Sequence, residues 1–164
     1  MNNNGTQAII DKALDFLRNN IEVTLAKSEN NKPHIRIFQI MKIEGTILYF
    51  STSREKGVCR QLHENPYIEI MAYNDEEFVK CSGKADFDVA DATARWIYAN
   101  NPVLPRLYPS YDKLVYFKLG IEEMDHYDLK PTPPYLSITT SEAIRREMVM
   151  SRGDTANKLE SRLE

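Results

Sequence analysis

Residues 48–56 read Leu-Tyr-Phe-Ser-Thr-Ser-Arg-Glu-Lys, so the hydroxyls of Ser51, Thr52 and Ser53 are followed at once by Arg54 and Lys56. An amphipathic stretch comes next and stops at Asn65-Pro66. A helix opening here presents unpaired N–H groups and the positive end of its dipole. Hydroxyl donors, two cations and a helix N-terminus together form the donor set that a phosphate takes. The same residues also fit a plainer role, with Ser53 capping the helix and Lys56 solvated. Arg36 is the second position of interest, in an apolar strand between Ile35 and Ile37. On an outer face it is solvated; facing a groove it pairs with a phosphate or an electron-rich ring.

The other reactive side chains form no such set. His34, His63 and His126 lack metal-ligand spacing, and Cys59 and Cys81 make no CxxC pair, so no metal site is expected. Cys59, Trp96 and the tyrosines read as core. Arg152-Gly153-Asp154 is a tripeptide of the kind that arises by chance. No Ser/His/Asp set stands out, and no catalytic residue is assigned.

The elements that must position these residues follow from periodicity. Residues 7–18 carry Ile9, Ile10, Ala13, Leu14, Phe16 and Leu17 at helical spacing, with Thr6 as the expected N-cap. Residues 21–28 alternate as a strand, and a turn at 29–32 leads to a longer strand at 33–43. Glu44-Gly45 marks a hairpin, and Thr46–Phe50 returns. After the helix come strands at 67–73 and 78–89, with Gly83 marking a bulge or a close backbone approach. A helix is expected at 90–100, then a Pro-rich irregular stretch, then two strands of a hairpin at 114–119 and 124–129. Pro131, Pro133 and Pro134 break the sheet. Six or seven short, mostly hairpin-linked strands must manage their edges, and closure into a barrel does so. The expected fold is therefore mainly β, a six-stranded antiparallel barrel with flanking α-helices. Residues 1–135 form the domain, and 136–164 form a mixed-charge tail, helical or partly disordered.

The chain's 164 residues suffice for one domain with a core. Its net charge of −3 argues against a general nucleic-acid binder. No apolar run approaches the ~20 residues of a membrane helix. The N-terminus lacks the pattern of a secretory signal, and two cysteines are no disulfide framework, so a cytoplasmic location is expected.

Read in order, several short pieces resemble the pyridoxamine 5′-phosphate oxidase-like family, the FMN-binding split barrels. They are Asp15-Phe16-Leu17, Val23-Thr24-Leu25-Ala26, Lys32-Pro33-His34-Ile35-Arg36, and Gly45 with Leu48-Tyr49-Phe50. Thr52-Ser53 with Lys56, Gln61-Leu62 with Asn65-Pro66, and Cys81-Ser82-Gly83-Lys84-Ala85 complete the series. The resemblance implies a split barrel that forms a homodimer with FMN at the subunit interface. By position, Ser53 and Lys56 contact the phosphate, with Arg54 beside them. Arg36, Ile37, Phe38 and Gln39 run along the flavin, with Arg36 toward the phosphate or ribityl end. Phe50, Ser51 and Thr52 line the ring edge, and Gln61 reaches the cofactor from the helix. The partner subunit's 78–82 stretch completes the pocket.

Two features depart from the family pattern. Gly57 stands where many relatives carry a second basic residue, and the basic, aromatic C-terminal segment of the true oxidases is absent from 131–164. The resemblance thus implies an oxidoreductase of flavin reductase or nitroreductase type ahead of vitamin B6 oxidation, passing electrons between a reduced donor and a small acceptor. A non-catalytic flavin or tetrapyrrole carrier is the alternative, and a structural dimer without cofactor is a third reading.

Overall fold

The computed structural model describes residues 3–130 and a strand at 135–139. Helix α1 (Asn3–Asn19) leads into strands β1 (Glu22–Glu29), β2 (Lys32–Gln39), β3 (Lys42–Glu44) and β4 (Ile47–Ser53). Helix α2 (Gly57–Glu64) follows, then β5 (Tyr67–Tyr73) and β6 (Glu77–Asp86). Helices α3 (Asp91–Asn100) and α4 (Val103–Leu107) and a 3-10 turn (Tyr111–Lys113) precede β7 (Leu114–Asp128) and β8 (Tyr135–Thr139). The strands make one antiparallel sheet in the order β2-β1-β5-β6-β7-β4-β3, with β8 paired to β7.

The expected class holds, but there are more strands than six, and several boundaries differ. The stretch 33–43 is two strands, because the chain changes neighbours in the middle. The Ile40 N–H donates to the Ile21 carbonyl and the Met41 N–H to the Tyr49 carbonyl, each at 2.8 Å. The ends of the sheet, β2 and β3, are thus joined by the chain itself rather than by a hydrogen-bonded ladder, which leaves the barrel split. The stretch 114–129 is one long strand, not a hairpin. Its first half pairs with β4 and its second with β6. Helix α1 begins at Asn3, which puts Thr6 inside its first turn rather than at a cap. β8 crosses the boundary expected at residue 135; the expectations for 140–164 lie outside the described residues.

Side-chain alternation divides the packing into two cores. Leu48 and Phe50 of β4 and Phe117 and Leu119 of β7 point into the barrel, where they meet Leu14 and Leu17 of α1 and Leu25, Ile70 and Val79. Tyr49, Leu114 and Tyr116 point the other way, beneath Ala94, Ile97 and Leu104 of α3 and α4. The turn between β1 and β2 uses Asn30 (φ 50°) and Asn31 (φ 60°), left-handed conformations that asparagine tolerates. No helix among the described residues is long and apolar enough to cross a membrane.

Candidate functional site

The split brings β2 against the end of β4 and the start of α2. Between them lies a groove of about 380 Å³, lined by Arg36, Ile37, Phe38, Gln39, Ser51, Thr52, Lys56, Gly57 and Val58. Seven of these were expected from sequence: Arg36 to Gln39, Ser51, Thr52 and Lys56. Strand β4 runs on through Ser53, past the expected end at Phe50, because Ser51, Thr52 and Ser53 pair with Tyr116, Val115 and Leu114. The hydroxyl residues are therefore held by the sheet, and the junction shrinks to Arg54, Glu55 and Lys56.

Four expected residues do not line the groove. Phe50 is fully buried, its ring stacked on Phe117 at 5.2 Å. The Ser53 hydroxyl accepts the Glu55 N–H at 3.3 Å, a local turn rather than the cap of α2. Arg54 is exposed. Gln61 is buried and reaches Arg36, but both ends of its amide are engaged: Oε1 accepts from Arg36 Nη2 at 2.7 Å, and Nε2 donates to Glu29 Oε2 at 2.5 Å.

The donors in the groove are unusual in one respect. Arg36 Nη1 and Thr52 Oγ1 are buried side-chain polar atoms without a hydrogen-bond partner. Thr52 is only 4% exposed. Leaving a buried donor unpaired costs ~1–3 kcal/mol, so native proteins rarely do so without a reason. Beside them α2 begins at Gly57 with no side chain capping its first turn, and a Cβ at Gly57 would meet nothing within 4 Å. A guanidinium nitrogen, a hydroxyl, free helix N–H groups and the nearby Lys56 fit a phosphate monoester, which accepts several hydrogen bonds and carries negative charge.

A second layer escaped the sequence reading. Lys27 is 5% exposed, and its Nζ donates to the Gln61 carbonyl at 2.6 Å and the Asn65 carbonyl at 3.2 Å. It thus satisfies carbonyls at the end of α2 from β1. Burial lowers the pKa of its ammonium, partly offset by Glu29. Glu29 accepts from Arg60 Nη2 at 2.9 Å and lies 3.7 Å from His34. The bond from Gln61, assisted by Arg60, holds its carboxyl below the usual range. The signal was present: Lys27 follows Val23 and Leu25 on the inward face of its strand, where a lysine needs partners.

No family model and no curated protein matches the chain by sequence. Solved structures do match its fold. General stress protein 26 from Bacillus anthracis str. Sterne is 20% identical, over 72% of this chain and 92% of that one, with a TM-score of 0.64. A protein from Clostridium acetobutylicum related to general stress protein 26, of the pyridoxinephosphate oxidase family, is 14% identical over 79% of this chain and 95% of its own, with a TM-score of 0.65. An FAD-binding protein from Mesorhizobium loti is 12% identical over 70% and 91%, with a TM-score of 0.58. The chain therefore has the split-barrel fold of the pyridoxamine 5′-phosphate oxidase-like proteins, the fold its short motifs resemble.

Proposed function

We propose that the groove binds FMN by its phosphate and that the protein is an FMN-dependent oxidoreductase working as a homodimer. The observation that carries this reading is the pair of buried, unpartnered polar atoms, Arg36 Nη1 and Thr52 Oγ1, on one groove. A phosphate accepts from both and also from the uncapped start of α2. Bound FMN supplies reversible electron transfer. The chain's own residues bind and orient. Arg36 and Thr52 grip the phosphate, Lys56 adds charge at the rim, and Phe38 walls the groove against the core.

Among the described residues lining the groove there is no carboxylate, histidine, cysteine or tyrosine. Among these residues the only ionisable side chains are the cations Arg36 and Lys56, which suit anion binding. That observation favours a second reading, a carrier that holds a flavin or a tetrapyrrole without turnover.

The outer face of the sheet supports the dimer. Ile35 and Ile37 are 68% and 73% exposed, and Tyr73 on the same face is 67% exposed. Across the ladder Ile37 stands opposite Thr24, which stands opposite Met71. Ile37 and Gln39 also border a second hollow of about 720 Å³ on this face. A partner covering the patch would close the open side of the groove, which supports a site shared between two subunits.

The test is to purify the protein without added cofactor, record its near-ultraviolet and visible absorbance, identify what denaturation releases, and measure its mass by sedimentation. FMN released from a dimer is the expected result, and bleaching by a nicotinamide donor separates the reductase from the carrier. A colourless protein that takes up no added FMN overturns the proposal.

A further inference from the structure

We infer that Glu29, acting through Gln61, is a positioning pair that aims the Arg36 guanidinium into the groove while leaving its positive charge available to the phosphate. This rests on the reading of the groove as the phosphate end of a flavin site.

A guanidinium only donates and a carboxylate only accepts. An amide between them has one orientation that satisfies both, Oε1 toward Arg36 and Nε2 toward Glu29, which is the observed one. Gln61 is held from both ends, because Lys27 of β1 also binds its backbone carbonyl. Arg36 Nη2 is thereby fixed, and Nη1 is left buried and unpartnered on a residue that lines the groove.

The identity of the middle residue matters. A carboxylate touching Arg36 would form a direct ion pair and compete with a phosphate for the same charge. The amide fixes direction without neutralising. The carboxylate stands one residue further away, shared between Gln61 and Arg60. The arrangement uses three elements: β1 supplies Glu29, β2 supplies Arg36 and α2 supplies Gln61.

The decisive variant exchanges the pair, Glu29→Gln with Gln61→Glu. It keeps the two hydrogen bonds and the volume but puts the negative charge against Arg36. FMN and riboflavin differ by the phosphate alone, so fluorescence titration with each separates the phosphate grip from the ring site. In the exchanged variant FMN should bind about tenfold or more weaker, the worth of one charge-assisted contact, and riboflavin should stay within about twofold. Glu29→Ala, which removes the anchor of the amide, should weaken FMN in the same selective way.

Equal losses for the two ligands in both variants overturn the positioning role, since that is what damage to the fold produces. A wild-type protein that prefers FMN, with variants that keep the full preference, overturns this inference and leaves the phosphate site standing. A wild-type protein that binds both ligands equally, or neither, overturns the phosphate reading and this inference together.

Discussion

Phe38 of β2 meets Phe50 of β4 edge to face across the split, with ring centroids 6.1 Å apart and planes at 88°. It also meets Phe117 at 5.8 Å. Among the described residues, β2 and β4 share no ladder, so aromatic packing joins the two walls here. Phe38→Ala should cost about 2–3 kcal/mol, at or below the range for a fully buried phenylalanine because Phe38 is only half-buried. Phe38→Leu should restore about half. Urea melts with an unchanged m-value check this; a loss under ~0.5 kcal/mol would mean the seam is held elsewhere.

Thr52→Val should act with opposite signs on stability and binding. In the ligand-free protein it removes an unpaired buried hydroxyl, and stability should rise by about 1 kcal/mol. With FMN it removes a donor, and affinity should fall by about fivefold to tenfold while riboflavin binding holds. A variant that loses stability without ligand would show that the hydroxyl is paired in solution.

Gly83 lies at a register shift between β6 and β7, where an added Cβ would stand 2.4 Å from the Gly120 carbonyl oxygen and 2.7 Å from Leu119 Cδ1. A backbone carbonyl cannot yield as a flexible side chain can. Gly83→Ala should therefore cost about 3 kcal/mol, the upper end of overpacking. Gly120→Ala is the control: nothing lies within 4 Å of its added Cβ, and the change should stay within ~1 kcal/mol. Equal melting temperatures for the two variants would contradict this account of the pinch.

Glu29 links stability to acid. Its carboxyl is held below the ordinary value of 4.5 by the Gln61 bond and Arg60. A depressed folded pKa means that the unfolded state binds the proton more readily, so the contribution is complete above the ordinary value. It fades as pH falls from there through the lowered folded value. The stability gap between wild type and Glu29→Gln should thus be widest near neutrality and shrink in acid. A gap that stays constant across thermal melts at descending pH would remove Glu29 from the linkage.

The strands of this fold were legible because alternation and turn residues agree, as at Asn30-Asn31 between β1 and β2. What alternation does not encode is which neighbour a strand takes. Residues 33–43 keep their period through Ile40 and Met41, yet the chain changes partners there. The stretch 120–123, left between the two strands expected at 114–119 and 124–129, is instead the middle of β7, and it is the backbone carbonyl of Gly120, not its missing side chain, that Gly83 approaches. The rim of the site was legible at 51–56, where hydroxyls and cations are contiguous. The relay behind it was not, since Glu29 and Gln61 come together only when α2 docks on β1. Lys27 was the visible hint, a charge in an apolar register.

The long strand β7 also governs when the site comes into being. Among the described residues, strand ladders link the wall carrying Arg36 to the wall carrying Thr52 through β1, β5, β6 and β7 in turn. The β1–β2 and β5–β6 pairs join neighbouring segments and close short loops. The β4–β7 pairing sets Phe50 opposite Phe117 and must close a much longer one, the entropically dearer and kinetically slower step. A chain in which β7 has not yet paired therefore has no ladder joining the two walls of the groove, and the proposed phosphate site would be complete only once the β4–β7 pairing has formed.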